Sequence, residues 1–117
     1  MRLNEVVFDD SRPVDGYGPG FFRIAGEVVA GAVIILPTGV FGWGGYDDRA
    51  PLLAAAGKID VLFIGTGAEI AQIPADLRRA LEGAGLGVEI AASPAACRTY
   101  NVLLSEGRRV GLAALSV

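Results

Sequence analysis

Short apolar runs separated by glycine and polar residues fill the first half of the chain. Val6 to Phe8, Phe21 to Ile24 and Val33 to Leu36 are such runs, and their length is typical of β-strands. Between the second run and Val28-Val29, Gly26-Glu27 offers a two-residue hairpin turn. The pattern therefore predicts a β-rich N-terminal region, with a Gly-rich loop at residues 17–20 leading into it.

A different pattern follows the glycines and aromatic residues of positions 41–46. Residues 47–56 have an acidic start and an Ala-rich interior, and Gly57 comes directly after them. Acidic residues favour a helix N-terminus, and glycine favours the end of a helix. The segment is therefore predicted to form a short helix.

From Asp60 onward, apolar strands alternate with helical segments. Val61 to Ile64 is continuously apolar, as expected of a strand covered on both faces. Pro74 suits the first turn of a helix, where a missing N–H is not needed. Val88 to Ala91 has the composition of a further strand. This alternation is typical of βαβ units in an α/β protein.

The last helix and the last strand are also marked in the sequence. Ser93 is predicted to be the N-cap of a helix and Pro94 its first residue, and the helix is expected to end near Ser105. Residues 109–115 are predicted to form the closing strand. On this helix Ala96 and Tyr100 share the arc that is expected to face the core.

Length and composition indicate one folded unit. The chain has 117 residues, 52% of them hydrophobic and 20% charged. That is enough apolar surface for one core, but the chain is too short for two, so residues 1–117 are predicted to be a single domain. The net charge of −3 and the pI near 4.8 disfavour nucleic acid as a partner, because a phosphate-binding face needs clustered Lys and Arg.

Two residue counts narrow the possible chemistry. The chain has no histidine, which removes the commonest general base and the imidazole ligands of most catalytic zinc sites. Cys97 is the only cysteine, so no intrachain disulfide or Cys-based zinc cluster can form. We expect Cys97 to be a small buried apolar residue. No metal or cofactor is predicted, and the composition favours a non-catalytic protein.

One uncharged stretch, Val28 to Tyr46, tests whether the chain crosses a membrane. Its strongly apolar part ends at Leu36, before Pro37 and several glycines. A spanning helix needs about 20 predominantly apolar residues, so strands are predicted here instead. Within residues 1–5, Asn4 and Glu5 are polar and acidic where a signal peptide would need an apolar core. We expect a protein that does not span the membrane and resides in the cytoplasm, where a lone cysteine stays reduced.

The tips of the predicted parallel strands offer a candidate ligand site. Ligands of open α/β sheets favour the crevice beyond the carboxyl ends of the strands, which here contains Gly65-Thr66-Gly67 and Ser93. Backbone N–H groups, two hydroxyls and a helix N-terminus could bind a small anion there, with Arg98 as counter-charge and Asn101 nearby. The alternative, which the sequence favours, is a tight turn at the glycines and a helix cap at Ser93.

The Gly-rich loop that contains Trp43 and Tyr46 offers a candidate partner-binding surface. Large amphipathic rings in such a loop either pack onto the core or contact a partner protein. Core packing is favoured, because a small domain has few other residues to cover the loop.

A longer set of residues carries a resemblance to a known family. The order is Phe63-Ile64-Gly65-Thr66-Gly67, Pro74, Ala96, Thr99-Tyr100-Asn101, Leu103, Glu106-Gly107-Arg108, Val110 and Ala113-Ala114-Leu115, preceded by Tyr17, Phe21, Ile24, Gly26 and Trp43. This order resembles the domain-of-unknown-function family that includes mitochondrial complex I (NADH dehydrogenase) assembly factor three and the adipogenesis-associated domain proteins. The resemblance implies a single three-layer α/β domain with a mixed central sheet and an additional N-terminal β-rich region. It supplies no catalytic residues.

Two functional hypotheses follow. The preferred one is a non-catalytic soluble module that binds another protein and assists the assembly of a membrane or respiratory complex, as the resemblance implies. The alternative is a small-anion or nucleotide-binding domain, with or without catalytic activity, at Gly65-Thr66-Gly67, Ser93, Arg98 and Asn101. The nine Arg to one Lys indicate GC-rich codons and a bacterial source.

Overall fold

The computed structural model describes residues 6–8 and 10–117, with side chains from residue 10 onward. The strands of this part of the chain are β1 (Val6–Phe8), β2 (Gly16–Gly18), β3 (Phe21–Ile24), β4 (Glu27–Ala30), β5 (Val33–Leu36), β6 (Gly39–Gly42), β7 (Val61–Gly65), β8 (Gly87–Ala91) and β9 (Val110–Ala114). The helices are α1 (Ala50–Leu53), α2 (Ala75–Gly83) and α3 (Ser93–Ser105).

Six strands form the main sheet, in the order β1-β6-β5-β9-β7-β8. The pairs on the β1 side, up to and including β5 with β9, are antiparallel. The last two pairs, β9 with β7 and β7 with β8, are parallel. The sheet is therefore mixed, and β9 joins its antiparallel half to its parallel half.

Strands β2, β3 and β4 form a separate antiparallel sheet. The β3–β4 hairpin turns at Ala25 and Gly26, whose φ angles are +51° and +82°. Positive φ at both central residues is the geometry that suits a two-residue hairpin. The predicted turn at Gly26-Glu27 is therefore wrong by one residue, because Glu27 already pairs with Ile24. Tyr17 and Gly18, which belong to the predicted loop at residues 17–20, lie in β2 and pair with β3.

Alternate residues of β5 belong to two different hydrophobic clusters. Val33 and Ile35 pack in a cluster with Phe22 of the small sheet and Tyr100 of α3. Ile34 and Leu36 pack in a cluster with Trp43, Leu52 of α1, and Leu77 and Leu81 of α2. Since successive strand residues point to opposite faces, the main sheet is covered on both of its faces.

The mixed α/β fold and the N-terminal β-rich region are confirmed. The three-layer arrangement and the single domain stay predictions.

The first helix is shorter than predicted: Asp48 accepts a hydrogen bond from the Gly44 N–H, and its own N–H donates to the Gly45 carbonyl. The acidic pair therefore lies in a turn before the helix. Helix α2 begins at Ala75, with Pro74 as its N-cap instead of a residue of its first turn.

None of the helices in the described residues is long and apolar enough to cross a membrane.

Candidate functional site

The loop after β7 and the start of α3 lie side by side at the carboxyl ends of the parallel strands. The Ser93 hydroxyl accepts a hydrogen bond from the Gly67 N–H at 2.9 Å and donates to the Leu115 carbonyl at 2.6 Å. The Ser93 N–H also donates to the Gly67 carbonyl at 2.7 Å. We call this contact between the ends of β7, β9 and α3 the Ser93 junction.

The predicted N-cap role of Ser93 is wrong. Ser93 is the first residue of α3, Ala92 takes the N-cap position, and no side chain caps the helix. The physical reason is that the hydroxyl is already used: its proton goes to Leu115 and its lone pair receives the Gly67 N–H. Ser93 is fully buried, so its two bonds satisfy a polar group that would otherwise be costly to bury.

Gly65 allows the helix to approach the strand at this junction. A Cβ on Gly65 would lie 2.6 Å from the Ser93 Oγ and 2.8 Å from the Ser93 Cα. Real Cβ atoms do not approach other atoms so closely, and the Cα cannot move without shifting α3. The glycine therefore serves close packing between strand and helix, as glycines often do at such sites.

Thr66 closes the loop that leads from β7 toward α2. Its hydroxyl donates to the Glu69 carbonyl at 2.7 Å and accepts from the Ala71 N–H at 3.0 Å. The Thr66 N–H donates to the Ala91 carbonyl at 2.9 Å. These bonds hold the loop against the end of β8.

The predicted site residues 65–67 and 93 are thus brought together, as expected for adjacent strand tips, but their polar groups are bonded to one another. An anion at this place would have to replace the bonds of the Ser93 junction. The structure gives all four residues a role in packing and loop closure. Their ligand role stays a prediction.

The other two predicted ligand residues, Arg98 and Asn101, lie elsewhere on α3. Arg98 is exposed, and its side chain forms no hydrogen bond or ion pair with another of the described residues. The Asn101 amide group donates to the Val14 carbonyl and accepts from the Val14 N–H, both at 2.8 Å. Asn101 therefore binds the segment that precedes β2, as a neighbouring strand residue would.

Tyr100 supports the same segment. Its phenol donates to the Arg12 carbonyl at 2.9 Å, and the ring is fully buried. Burial raises the pKa of the Tyr100 phenol well above its usual value, so the hydroxyl remains a donor at every ordinary pH. Arg12 and Val14 lie 88 and 87 positions before Tyr100 and Asn101 in the chain, and no local sequence signal indicates this contact.

Cys97 is buried beside them, as predicted. Burial raises the pKa of its thiol to about 11, with a smaller opposing effect from Arg98. The thiol is therefore protonated at neutral pH, and protonated thiols are poor nucleophiles.

Trp43 packs into the core. Its side chain is 2% exposed, and its indole N–H donates to the Asp48 carbonyl at 3.0 Å. Tyr46 contacts it edge to face, with 5.8 Å between ring centroids, and is half-buried. The structure thus agrees with the core-packing interpretation. The partner-binding role of Trp43 and Tyr46 stays a prediction.

Sequence reasoning missed one concave surface. A groove of about 340 Å³ lies between β8 and α3, over the outer part of the main sheet. Its lining includes Phe63 of β7, Glu89 of β8, and Thr99 and Leu103 of α3. We call it the β8 groove. No sequence signal indicated it, because it depends on how far α3 extends across the sheet.

The chain is similar in sequence to several known proteins. A profile of the family described as "Protein of unknown function (DUF498/DUF598)" matches residues 14–115. An uncharacterized protein of Rhodobacter capsulatus is 50% identical over 115 residues, which cover 98% of this chain and 93% of that protein. NADH dehydrogenase [ubiquinone] 1 alpha subcomplex assembly factor 3 of Danio rerio is 34% identical over 106 residues. That match covers 85% of this chain but only 60% of the zebrafish protein.

Solved structures show the same fold. A protein described as an outer membrane protein from Bartonella henselae superposes with a TM-score of 0.87 and 34% identity. The superposition covers 94% of this chain and 99% of the Bartonella chain.

Proposed function

The chain belongs to the DUF498/DUF598 family of proteins of unknown function, and from this premise we propose that it is an assembly-factor-like protein. In this role it binds another protein and assists the assembly of an NADH dehydrogenase, without catalysing a reaction itself. One observation carries the proposal: the 34% identity to an NADH dehydrogenase assembly factor extends over 85% of this chain. The match therefore covers most of this chain.

The geometry of the strand tips supports a binding role over a catalytic one. The hydroxyls and amides that could have served a substrate at the Ser93 junction are bonded to the protein itself. Catalysis needs polar groups positioned toward a reacting atom. We propose a bacterial protein that works in the cytoplasm, where its single cysteine stays reduced.

The test uses the relative with 50% identity. Its gene is deleted in Rhodobacter capsulatus, and the deletion strain then receives either an empty vector or a vector that encodes this chain. We expect the deletion to lower the amount of assembled NADH dehydrogenase in the membranes, and this chain to restore it. Native gels and NADH-dependent quinone reduction measure assembly, and the amount of succinate dehydrogenase is the control for general membrane damage.

Normal NADH dehydrogenase assembly in the deletion strain would overturn the proposal. Fractionation of the complemented cells tests the location at the same time, because a cytoplasmic protein is recovered in the fraction that contains neither membranes nor periplasm.

A further inference from the structure

Strand β8 is an edge of the main sheet, and its outer side pairs with no other strand among the described residues. On its inner side it pairs in parallel with β7. The Gly87 N–H donates to the Asp60 carbonyl at 2.9 Å, and the Thr66 N–H donates to the Ala91 carbonyl at 2.9 Å. These two bonds fix which residues of β8 face β7.

In a parallel pair, alternate residues of a strand use both backbone groups toward the same neighbour. Because Gly87 and Ala91 bond toward β7, Glu89 does so as well. The N–H and C=O groups of Val88 and Ile90 therefore point away from the sheet. They are free to pair with an added strand, which is how exposed sheet edges bind extended peptides.

The β8 groove lies beside this edge, on the face of the sheet that carries α3. Val61 and Phe63 of β7 and Leu103 of α3 give it apolar walls. Side chains of an added strand would alternate between the two faces of the sheet. Every second side chain would thus enter the groove and bury apolar surface there.

Glu89 gives the groove a charge. It is directly opposite Phe63 in the β7–β8 register and is exposed. Among the described residues its carboxylate has no ion-pair partner, since the acidic members of the ion pairs are Asp10, Asp60, Asp76 and Glu82. A carboxylate next to apolar walls favours a cationic side chain between apolar ones.

We propose that the edge of β8 binds an extended segment of a partner protein as a further strand of the main sheet. The segment presents a lysine or arginine to Glu89 and apolar side chains to the β8 groove. This inference rests on the proposed function, since it names the surface and the chemistry by which the protein would bind its partner.

A second copy of the chain is a less suitable occupant. Two β8 strands that paired antiparallel over their full length would place Glu89 opposite Glu89, and like charges directly opposite each other are destabilising. The net charge of −3 also makes two copies repel. The same negative charge attracts a basic segment.

Two synthetic peptides of seven residues test the proposal, each with blocked ends. In the first, isoleucine, lysine and isoleucine occupy the second, fourth and sixth positions, with threonine elsewhere. In the second, glutamate replaces the lysine. NMR titration of the isotope-labelled full chain gives the affinity of each peptide. Hydrogen exchange gives the protection of the Val88 and Ile90 amides.

We expect the lysine peptide to bind about fivefold more tightly than the glutamate peptide, the effect of one partly exposed ion pair. The bound peptide should slow exchange at Val88 and Ile90. Glu89→Lys should reverse the preference, and Glu89→Gln should abolish it. Glu27→Lys is the matched control: Glu27 is an exposed strand residue on β4, and its replacement should leave the preference unchanged.

The proposal is overturned if neither peptide binds, if the amides protected lie away from β8, or if Glu89→Lys keeps the wild-type preference. Dimerisation through β8 in the absence of peptide, detected by analytical ultracentrifugation, would also overturn it.

The failure of the proposed function is a separate result. Peptide binding without complementation in Rhodobacter capsulatus would reject the assembly role and retain the surface. If the Glu89→Lys variant still complements the deletion strain and neither peptide binds, the binding surface is rejected and the assembly role is retained.

Discussion

At the scale of single residues, the Asn101 side chain takes the place of a neighbouring strand residue. Its amide oxygen and nitrogen make the two hydrogen bonds to Val14 that a paired strand residue would make, both at 2.8 Å. Val14 is buried and both bonds are partly buried, so they satisfy a backbone N–H and C=O that have little access to water. Together with the bond from Tyr100 to Arg12, they fix the segment that leads into the small sheet.

The substitution Asn101→Ala tests this role. It removes the partner of the Val14 N–H, and leaving buried backbone groups unpaired costs about 1–3 kcal/mol. We expect the free energy of unfolding to fall by that amount in urea denaturation, and the Val14 amide to exchange faster with solvent. The Asp15 amide is an internal control, because it donates to the Arg23 carbonyl within the small sheet. An unchanged exchange rate at Val14 would contradict the role given to Asn101.

Single residues also show where sequence reasoning stops. The sequence indicated correctly that the loop after β7 lies beside the start of α3. It assigned Ser93 to the wrong partner, because a helix cap is a local contact, whereas Gly67 and Leu115 are distant along the chain. The sequence placed Asn101 near the strand tips for the same reason, because its actual partner Val14 is 87 positions away. Tertiary partners of a polar side chain cannot be derived from local pattern.

At the scale of elements, the contact between β7 and α3 depends on the absence of a side chain at Gly65. A methyl group there would lie 2.6 Å from the Ser93 Oγ and 3.1 Å from the Ala114 Cβ. The start of α3 and the end of β9 would both have to move. Forced overpacking of this kind typically costs about 1–3 kcal/mol.

We therefore expect Gly65→Ala to lower the urea midpoint of unfolding. Gly83→Ala is the matched control: Gly83 is the last residue of α2, and a Cβ there meets nothing within 4 Å. Alanine in a helix is favoured over glycine by about 0.5–1 kcal/mol, so the control should raise the midpoint or leave it unchanged. Equal effects of the two substitutions would show that β7 and α3 are not packed as described.

Sequence pattern located the elements of the second half well. Helix α3 was expected from Pro94 to about Ser105 and runs from Ser93 to Ser105, because proline and glycine mark its ends. Helix α1 and the β3–β4 turn were less accurate. The acidic residues before α1 fit a turn and a helix start about equally well. The residues beside Gly26 fit two hairpin turns that differ by one position. In each case the contacts of the folded chain decide which structure forms.

At the scale of the whole molecule, the two hydrophobic clusters share the main sheet. Trp43 belongs to the cluster with α1 and α2, and Phe22 belongs to the cluster with α3 and the small sheet. Strand β5 contributes to both clusters through alternate residues. Unfolding of one cluster should therefore expose strands whose other residues form part of the second cluster.

The resulting prediction is that the chain unfolds as one cooperative unit. Trp43 fluorescence reports one face of the sheet, and far-ultraviolet circular dichroism reports all the elements, so their urea transitions should coincide.

Phe22→Ala removes a fully buried ring and should lower the free energy of unfolding by about 3–5 kcal/mol, with an equal shift in both signals. Val28→Ala is the control, because Val28 is 51% exposed on β4 and surface changes are usually within about 0.5 kcal/mol. A Trp43 transition unaffected by Phe22→Ala would indicate two independent units.

The position of β9 between β5 and β7 also affects how the protein is made. This strand joins the two halves of the main sheet, yet it follows every other strand of the described chain in sequence. While the ribosome is still synthesising residues 110–114, the apolar strands already released cannot be joined into one sheet. The final step of folding therefore waits for these residues to leave the exit tunnel, and nascent chains with exposed strands are typical clients of chaperones.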